Sequence, residues 1–256
     1  MPDFSYGAEV THVAKRDMRI ALLARRRELT VADRAAAASR VQAELVALVG
    51  RLRPARMTAY VPVGSEPGGP DLPDVLRAAL PPGGDLLLPV LLPDLDLDWA
   101  PYDGPGSLAA AGRGMREPTG PRLGPDAITE ADLVVLPALA VDRSGLRLGR
   151  GGGSYDRALA RVPAATPTVV LLHDGELVEA VPAEPHDRPV RAVITPGGGL
   201  RTLVPTVASP DTASPDAASP DAASPDATSP DATSPEATVT PPGVARHTST
   251  GRIPGE

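Results

Sequence analysis

Residues 147–156 read Arg-Leu-Gly-Arg-Gly-Gly-Gly-Ser-Tyr-Asp, a run of types suited to holding an anion. Glycines let backbone N–H groups come close to a phosphate, and the N–H groups and dipole at the start of a following helix favour negative charge. Arg147 and Arg150 would add charge-assisted contacts, and Asp156 could hold a hard cation such as Mg²⁺ beside the phosphates. The same cluster would also serve as a flexible turn between a strand and a helix. Two familiar phosphate motifs are excluded. A Walker A loop needs Gly-Lys-Ser/Thr, and no lysine stands here. A dinucleotide fingerprint follows the first strand and has an acid about 20 residues on, where this chain carries Leu171 and Leu172.

Lys15 is the only lysine, against 24 arginines, so a lysine-dependent step has one possible location. Lys15 and Arg19 are four apart and share a helix face; they either converge on a polyphosphate or form a solvated basic face. Glu66 follows an apolar strand at the lip of a sheet, where α/β proteins place ligands, and is otherwise an exposed loop acid. His173 and His186 read as structural. The absence of cysteine excludes thiolate metal sites, disulfides and a cysteine nucleophile.

The elements that would position these residues alternate. Residues 11–29 have amphipathic helical spacing, with Val13, Met18, Leu22, Leu23 and Leu29 as the apolar set. Thr30, with Asp33 three residues on, caps a second helix through Val49 that Gly50 would end. Strands are expected at 57–63, 85–88, 97–102, 132–136 and 168–172, with a last one at 191–195, and helices at 71–80 and 155–161. In the 97–102 region, Leu95, Leu97 and Trp99 alternate with Asp94, Asp96 and Asp98. The short continuous apolar runs at 132–136 and 168–172 suit strands buried on both faces. The pattern predicts a three-layer α/β/α, Rossmann-like domain with a largely parallel sheet, preceded by an N-terminal helical hairpin.

From Ser209 the chain repeats Ser-Pro-Asp-Ala/Thr-Ala/Thr, and nothing in that pattern can build a core. Residues 209–256 are therefore expected to be a disordered tail, with residues 1–208 as the catalytic domain. The tail holds seven acids and two arginines, so it carries five of the seven net negative charges. The near-neutral remainder argues against nucleic acid as a partner. No stretch has the length of a membrane span and no signal-peptide run opens the chain, so a cytoplasmic protein is expected.

The 147–157 block, Arg-Leu-Gly-Arg-Gly-Gly-Gly-Ser-Tyr-Asp-Arg, resembles the signature of the 5-formyltetrahydrofolate cyclo-ligases, usually Arg-Leu-Gly-x-Gly-x-Gly-Tyr-Tyr-Asp. Lys15-Arg-Asp-Met-Arg19, Gly64-Ser-Glu66 and Val181-Pro-Ala-Glu-Pro-His-Asp187 also resemble family blocks in order and spacing. The likeness spans about residues 12–196. It implies an ATP- and Mg²⁺-dependent, monomeric enzyme acting on 5-formyltetrahydrofolate, or else a diverged member that binds folate or nucleotide without efficient turnover. Carried over by position, it implies a nucleotide site of Lys15, Arg19, Arg147, Leu148, Gly149, Arg150, Gly151, Gly152, Gly153, Ser154 and Tyr155. Val61, Glu66 and residues 150–154 would contact the folate, with Glu66 accepting paired hydrogen bonds from the amino and ring N–H of the pterin. Asp156 and Asp187 would hold magnesium, and Arg150, Tyr155 and Asp156 would form the catalytic set. Two departures stand out. Ser154 replaces the first of two tyrosines, and Met115 sits where a larger group usually precedes Glu-Pro.

Overall fold

The computed structural model describes residues 4–184 and 186–203. The pentapeptide segment 209–256, and with it the expected disorder, lies outside the described residues. In chain order the elements are α1 (Phe4–Glu28), α2 (Val31–Leu52), β1 (Arg56–Thr58), α3 (Leu72–Ala79), β2 (Asp85–Leu91), β3 (Leu97–Pro101), β4 (Leu108–Ala110), β5 (Arg116–Pro118), β6 (Leu133–Pro137), β7 (Ala140–Asp142), β8 (Arg147–Leu148), α4 (Ser154–Arg161), β9 (Thr168–Leu171), β10 (Leu177–Val178), β11 (Ala192–Thr195) and β12 (Gly199–Thr202). Among the described residues no helix is long and apolar enough to cross a membrane.

The main sheet has seven strands in the order β12-β11-β9-β6-β1-β2-β3. Its five central strands are parallel, and β3 and β12 pair antiparallel at the two edges. Strand direction in the order reverses at β1 and β6: the chain first builds outward through β2, then returns to add β6, β9 and β11 on the other side of β1. Alternation within each strand feeds both faces. Leu86, Leu88, Leu133, Val135, Val169 and Leu171 pack under α2 and α3 with Val41, Leu45, Leu72 and Leu76. Leu87, Val134, Leu136, Val170 and Leu172 pack on the opposite face with Ile128 and with Ala158 and Leu159 of α4. Each fully buried Leu, Ile or Val contributes about 1.5–3 kcal/mol, so both faces must be covered. These are the three layers expected from the sequence.

A second sheet, β10-β7-β8, packs against α1 through Leu22, Leu139, Ala140, Leu148 and Val181. The two N-terminal helices therefore serve different sheets. The α2 start is local chemistry: the Thr30 hydroxyl accepts from the Asp33 N–H at 3.1 Å and the Asp33 carboxylate accepts from the Thr30 N–H at 3.3 Å.

Several expectations need correction. Gly50 does not end α2, which runs to Leu52 and stops with Arg53 in the left-handed region ahead of Pro54, a residue that cannot extend a helix. The strand expected at 57–63 is only Arg56–Thr58, and the residues beyond it turn into the wall of a cavity. Residues 191–195 are not the last strand, because β12 adds to that edge. Of the aspartates alternating with Leu95, Leu97 and Trp99, Asp94 is exposed but Asp96 and Asp98 are not. Asp98 accepts the N–H groups of Trp99 and Gly124, both at 2.7 Å, and Asp96 accepts Arg161, so both stay buried.

On α1, Val10, Val13 and Ile20 are exposed whereas Lys15, Leu22 and Arg26 are buried. Lys15, Arg19, Leu22 and Arg26 follow one another at intervals of four, three and four, a single helical face. That face looks onto polar groups of the site.

Candidate active site

A cavity of about 580 Å³ opens at the carboxyl ends of β1, β2 and β6. This is the crevice where an open α/β sheet reverses its strand order, the position at which such sheets bind ligands. Its walls are α1, the chain after β1, the segment around Met115, the loop into α4, and Glu184, His186 and Asp187. Every site residue expected from the sequence lines it: Lys15, Arg19, Val61, Glu66, all ten residues from Arg147 to Asp156, and Asp187.

The glycine loop is delivered by the β7–β8 hairpin. There the Asp142 carboxylate accepts the N–H groups of Ser144 and Leu146 at 2.9 and 3.1 Å, closing a tight turn. Gly145 sits in that turn at φ 89°, and a Cβ would collide with the Val190 carbonyl oxygen. The chain then runs through β8 into Gly151 at φ 100° and Gly153 at φ 70°, the uncapped start of α4. With no capping side chain, the first N–H groups of α4 are presented to the cavity. The Arg19 guanidinium lies over the loop, 3.4 Å from where a Gly151 Cβ would be, and its Nε donates to the Gly149 carbonyl at 2.9 Å.

Arg147 does not reach outward as a phosphate contact. Its side chain is 3% exposed and donates to Asp156 at 2.9 Å, a pairing the sequence spacing did not suggest. Burial lowers its pKa, with Asp156 and then Asp187 acting in the opposite direction, so two acids from distant segments converge on this one cation. Its buried Nε has no hydrogen-bond partner among the described residues. Lys15 does not stand free either: its ammonium donates to Glu184 at 2.5 Å and Asp187 at 2.7 Å. Glu184, His186 and Asp187 bring ligand atoms within 4.8 Å of one another, and the Lys15 ammonium supplies positive charge to that acidic pair. Carboxylate oxygens are the donors Mg²⁺ prefers, so Glu184 and Asp187 suit such an ion, whereas Asp156 is paired with Arg147 and stands outside this group.

Glu66 stands at the other end. Its carboxylate accepts the Val63 N–H at 2.9 Å and Arg150 Nε at 3.0 Å, so Arg150 bridges the glycine loop to the chain after β1. Burial, with the Glu66 charge adding, pushes the Tyr155 phenol far above its ordinary value and keeps it protonated. Ser154 opens α4 and Met115 lines the wall. Among the cavity residues that the sequence reading did not single out are Glu184, Tyr60 and Arg26. Glu184 was visible only as part of the Glu-Pro-His-Asp block, Tyr60 only as one residue of the expected strand at 57–63, and nothing in the local spacing marked Arg26.

The family model for the 5-formyltetrahydrofolate cyclo-ligases matches residues 11–196. The chain belongs to that family. It is 44% identical over 195 residues to a 5-formyltetrahydrofolate cyclo-ligase of Mycolicibacterium smegmatis, an alignment covering 74% of this chain and 97% of the relative. Among solved structures, the 5,10-methenyltetrahydrofolate synthetase of Aquifex aeolicus superposes with a TM-score of 0.62 at 26% identity, covering 78% of this chain and 97% of that one. A synthetase from Mycoplasma pneumoniae shares the fold at TM-score 0.55 and 16% identity, over 70% and 96% of the two chains.

Proposed function

We propose that the protein converts 5-formyltetrahydrofolate to 5,10-methenyltetrahydrofolate, with ATP going to ADP and phosphate. The observation that carries this is that one cavity gathers Lys15, Arg19, Glu66, the glycine loop with Asp156, and Asp187, residues drawn from four separate stretches of chain.

The formyl oxygen is a poor leaving group because it belongs to an amide. Transfer of the γ-phosphoryl group to it releases ADP and turns it into a phosphate ester. N10 of the same folate then attacks the formyl carbon, the proton leaves N10, and the C–O bond breaks as phosphate departs, closing the ring. The chain's part is positioning and charge. Lys15 and Arg19 from α1, and the N–H groups of the glycine loop and the α4 start, would hold the triphosphate. Glu66 would accept hydrogen bonds from the pterin, with Val61 beside it. Arg150, now on Glu66, would lie between the two substrates and steady the transferring group, next to the neutral Tyr155 hydroxyl. Asp187 and Asp156 would hold magnesium, which supplies charge neutralisation on the phosphoryl oxygens. No protein nucleophile is required.

The test is direct. Purified protein is incubated with 5-formyltetrahydrofolate, ATP and Mg²⁺, and the near-ultraviolet absorbance of methenyltetrahydrofolate is followed. Product formation that depends on all three supports the proposal, and no product at high enzyme concentration overturns it.

A further inference from the structure

Behind the cavity lies a group of buried polar residues that the proposed chemistry does not use. Arg26 donates through Nε and Nη2 to the two oxygens of Glu176, at 2.6 and 2.8 Å, and Nη2 also donates to the Ala138 carbonyl at 2.6 Å. The two side chains are 1% and 5% exposed. Glu176 also accepts the His173 N–H at 2.8 Å, and the His173 ring meets the Ser65 carbonyl at 3.0 Å through Nε2. A carbonyl only accepts, so Nε2 carries the proton. A buried ion pair adds little stability over an apolar pair of the same volume. What it supplies is direction, because a forked guanidinium satisfies a carboxylate and a carbonyl together in few orientations.

Both ends of this chain of bonds reach a substrate edge. Arg26 lies seven residues beyond Arg19 on the face of α1 that carries Lys15, so its fork sets the rotation and height of that face. Ser65 is the residue before Glu66. The segment it begins is held at three successive points by carbonyl bonds: Ser65 to His173, Pro67 to the Tyr60 hydroxyl at 2.6 Å, and Gly68 to Gln42 at 2.7 Å. Only the His173 bond runs on to α1, through Glu176 and Arg26.

We propose that Arg26, Glu176 and His173 form a positioning network that fixes the Glu66 segment relative to α1, holding the folate edge and the nucleotide edge of the cavity at a set separation. The proposal rests on the reading of Glu66 as a pterin contact. His173 is then a positioning residue that touches neither substrate.

The experiment measures KM for each substrate in three variants. His173→Leu cuts the Ser65 bond and leaves the ion pair intact. It should raise KM for 5-formyltetrahydrofolate about tenfold, the order expected for a lost hydrogen bond, and leave KM for ATP within about twofold. His173→Gln, whose amide N–H can replace Nε2, should restore most of the loss. The double variant Arg26→Met/Glu176→Met removes the pair without leaving a lone buried charge and should raise both KM values. Glu66→Ala is the control. If it raises the folate KM while His173→Leu leaves it at the wild-type value, or while Gln fails to rescue, the network is wrong and the Glu66 reading stands. If Glu66→Ala leaves the folate KM unchanged, the Glu66 reading is wrong and the network falls with it.

Discussion

At the scale of single residues, the site holds its charges in pairs that a substrate would have to break or share. Asp156 neutralises a guanidinium that is 3% exposed, so this carboxylate has a structural duty as well as the proposed magnesium duty. The two can be separated by magnitude. Asp156→Asn keeps a hydrogen-bond acceptor for Arg147 but loses the charge, which should cost about 1–3 kcal/mol of unfolding free energy in urea. Turnover should fall by a further factor of about 100–1000, the range for removing one group that stabilises the transferring charge. A stability loss with turnover intact would reduce Asp156 to a partner of Arg147. None of this pairing could be read from the chain. Arg147 and Asp156 stand nine positions apart, and both the residue types and the resemblance assigned one to phosphate and the other to metal.

At the scale of elements, α4 presents its first turn to the cavity and is tied down at its other end. Arg161 in the last turn donates to both oxygens of Asp96, at 3.0 and 2.5 Å, joining α4 to the chain that enters β3. That hydrogen-bonded partner, with the Leu97 N–H and the Arg161 charge adding against desolvation, holds the Asp96 carboxyl below its ordinary 3.8. A carboxyl depressed in the folded state stabilises the fold at every pH above its unfolded value and loses that contribution as pH falls through the folded value. Asp96→Asn should therefore be less stable than the wild type by about 1–3 kcal/mol at neutral pH. The gap should hold down to about pH 5 and close below about pH 4, as the wild-type carboxyl takes up its proton. Chemical denaturation of both proteins across that range measures it, and a gap that widens toward acid would mean that Asp96 is not held as its charged form. The alternation of Asp94, Asp96 and Asp98 with Leu95, Leu97 and Trp99 announced a strand but not what covers it. The structure covers one side of β3 with α4 and with the 3₁₀ turn of Pro125–Glu130, which is why Asp96 and Asp98 are bonded inward while Asp94 stays exposed.

At the scale of the whole molecule, what could be read in advance was what short-range pattern determines. The apolar runs at 132–136 and 168–172 announced strands covered on both faces, and Thr30 with Asp33 announced a helix start, because each signal is complete within a few residues. The second sheet was not legible, since β8 and β10 have two residues each and carry no period. The inward face of α1 was misjudged because burial there follows the site: Lys15 and Arg26 are inside while Val13 and Ile20 are out. The partners that make this possible lie 169 and 150 residues away along the chain. The same reasoning bears on the repeat segment. Among the described residues, which end at 203, the three apolar clusters and the cavity walls are already well supplied with large apolar and charged side chains. Residues 209–256 offer no large apolar side chain except Val239, Val244 and Ile253, and proline recurs at every fifth position of the repeat. On that composition the segment is not expected to add to the core or to the charges of the cavity. A chain ending at Ala208 should keep its kcat and both KM values and melt within about 2 °C of the full protein, a shift that corresponds to at most about 1 kcal/mol for a domain of this size. A larger loss of either property would mean that the repeat contributes to the folded unit.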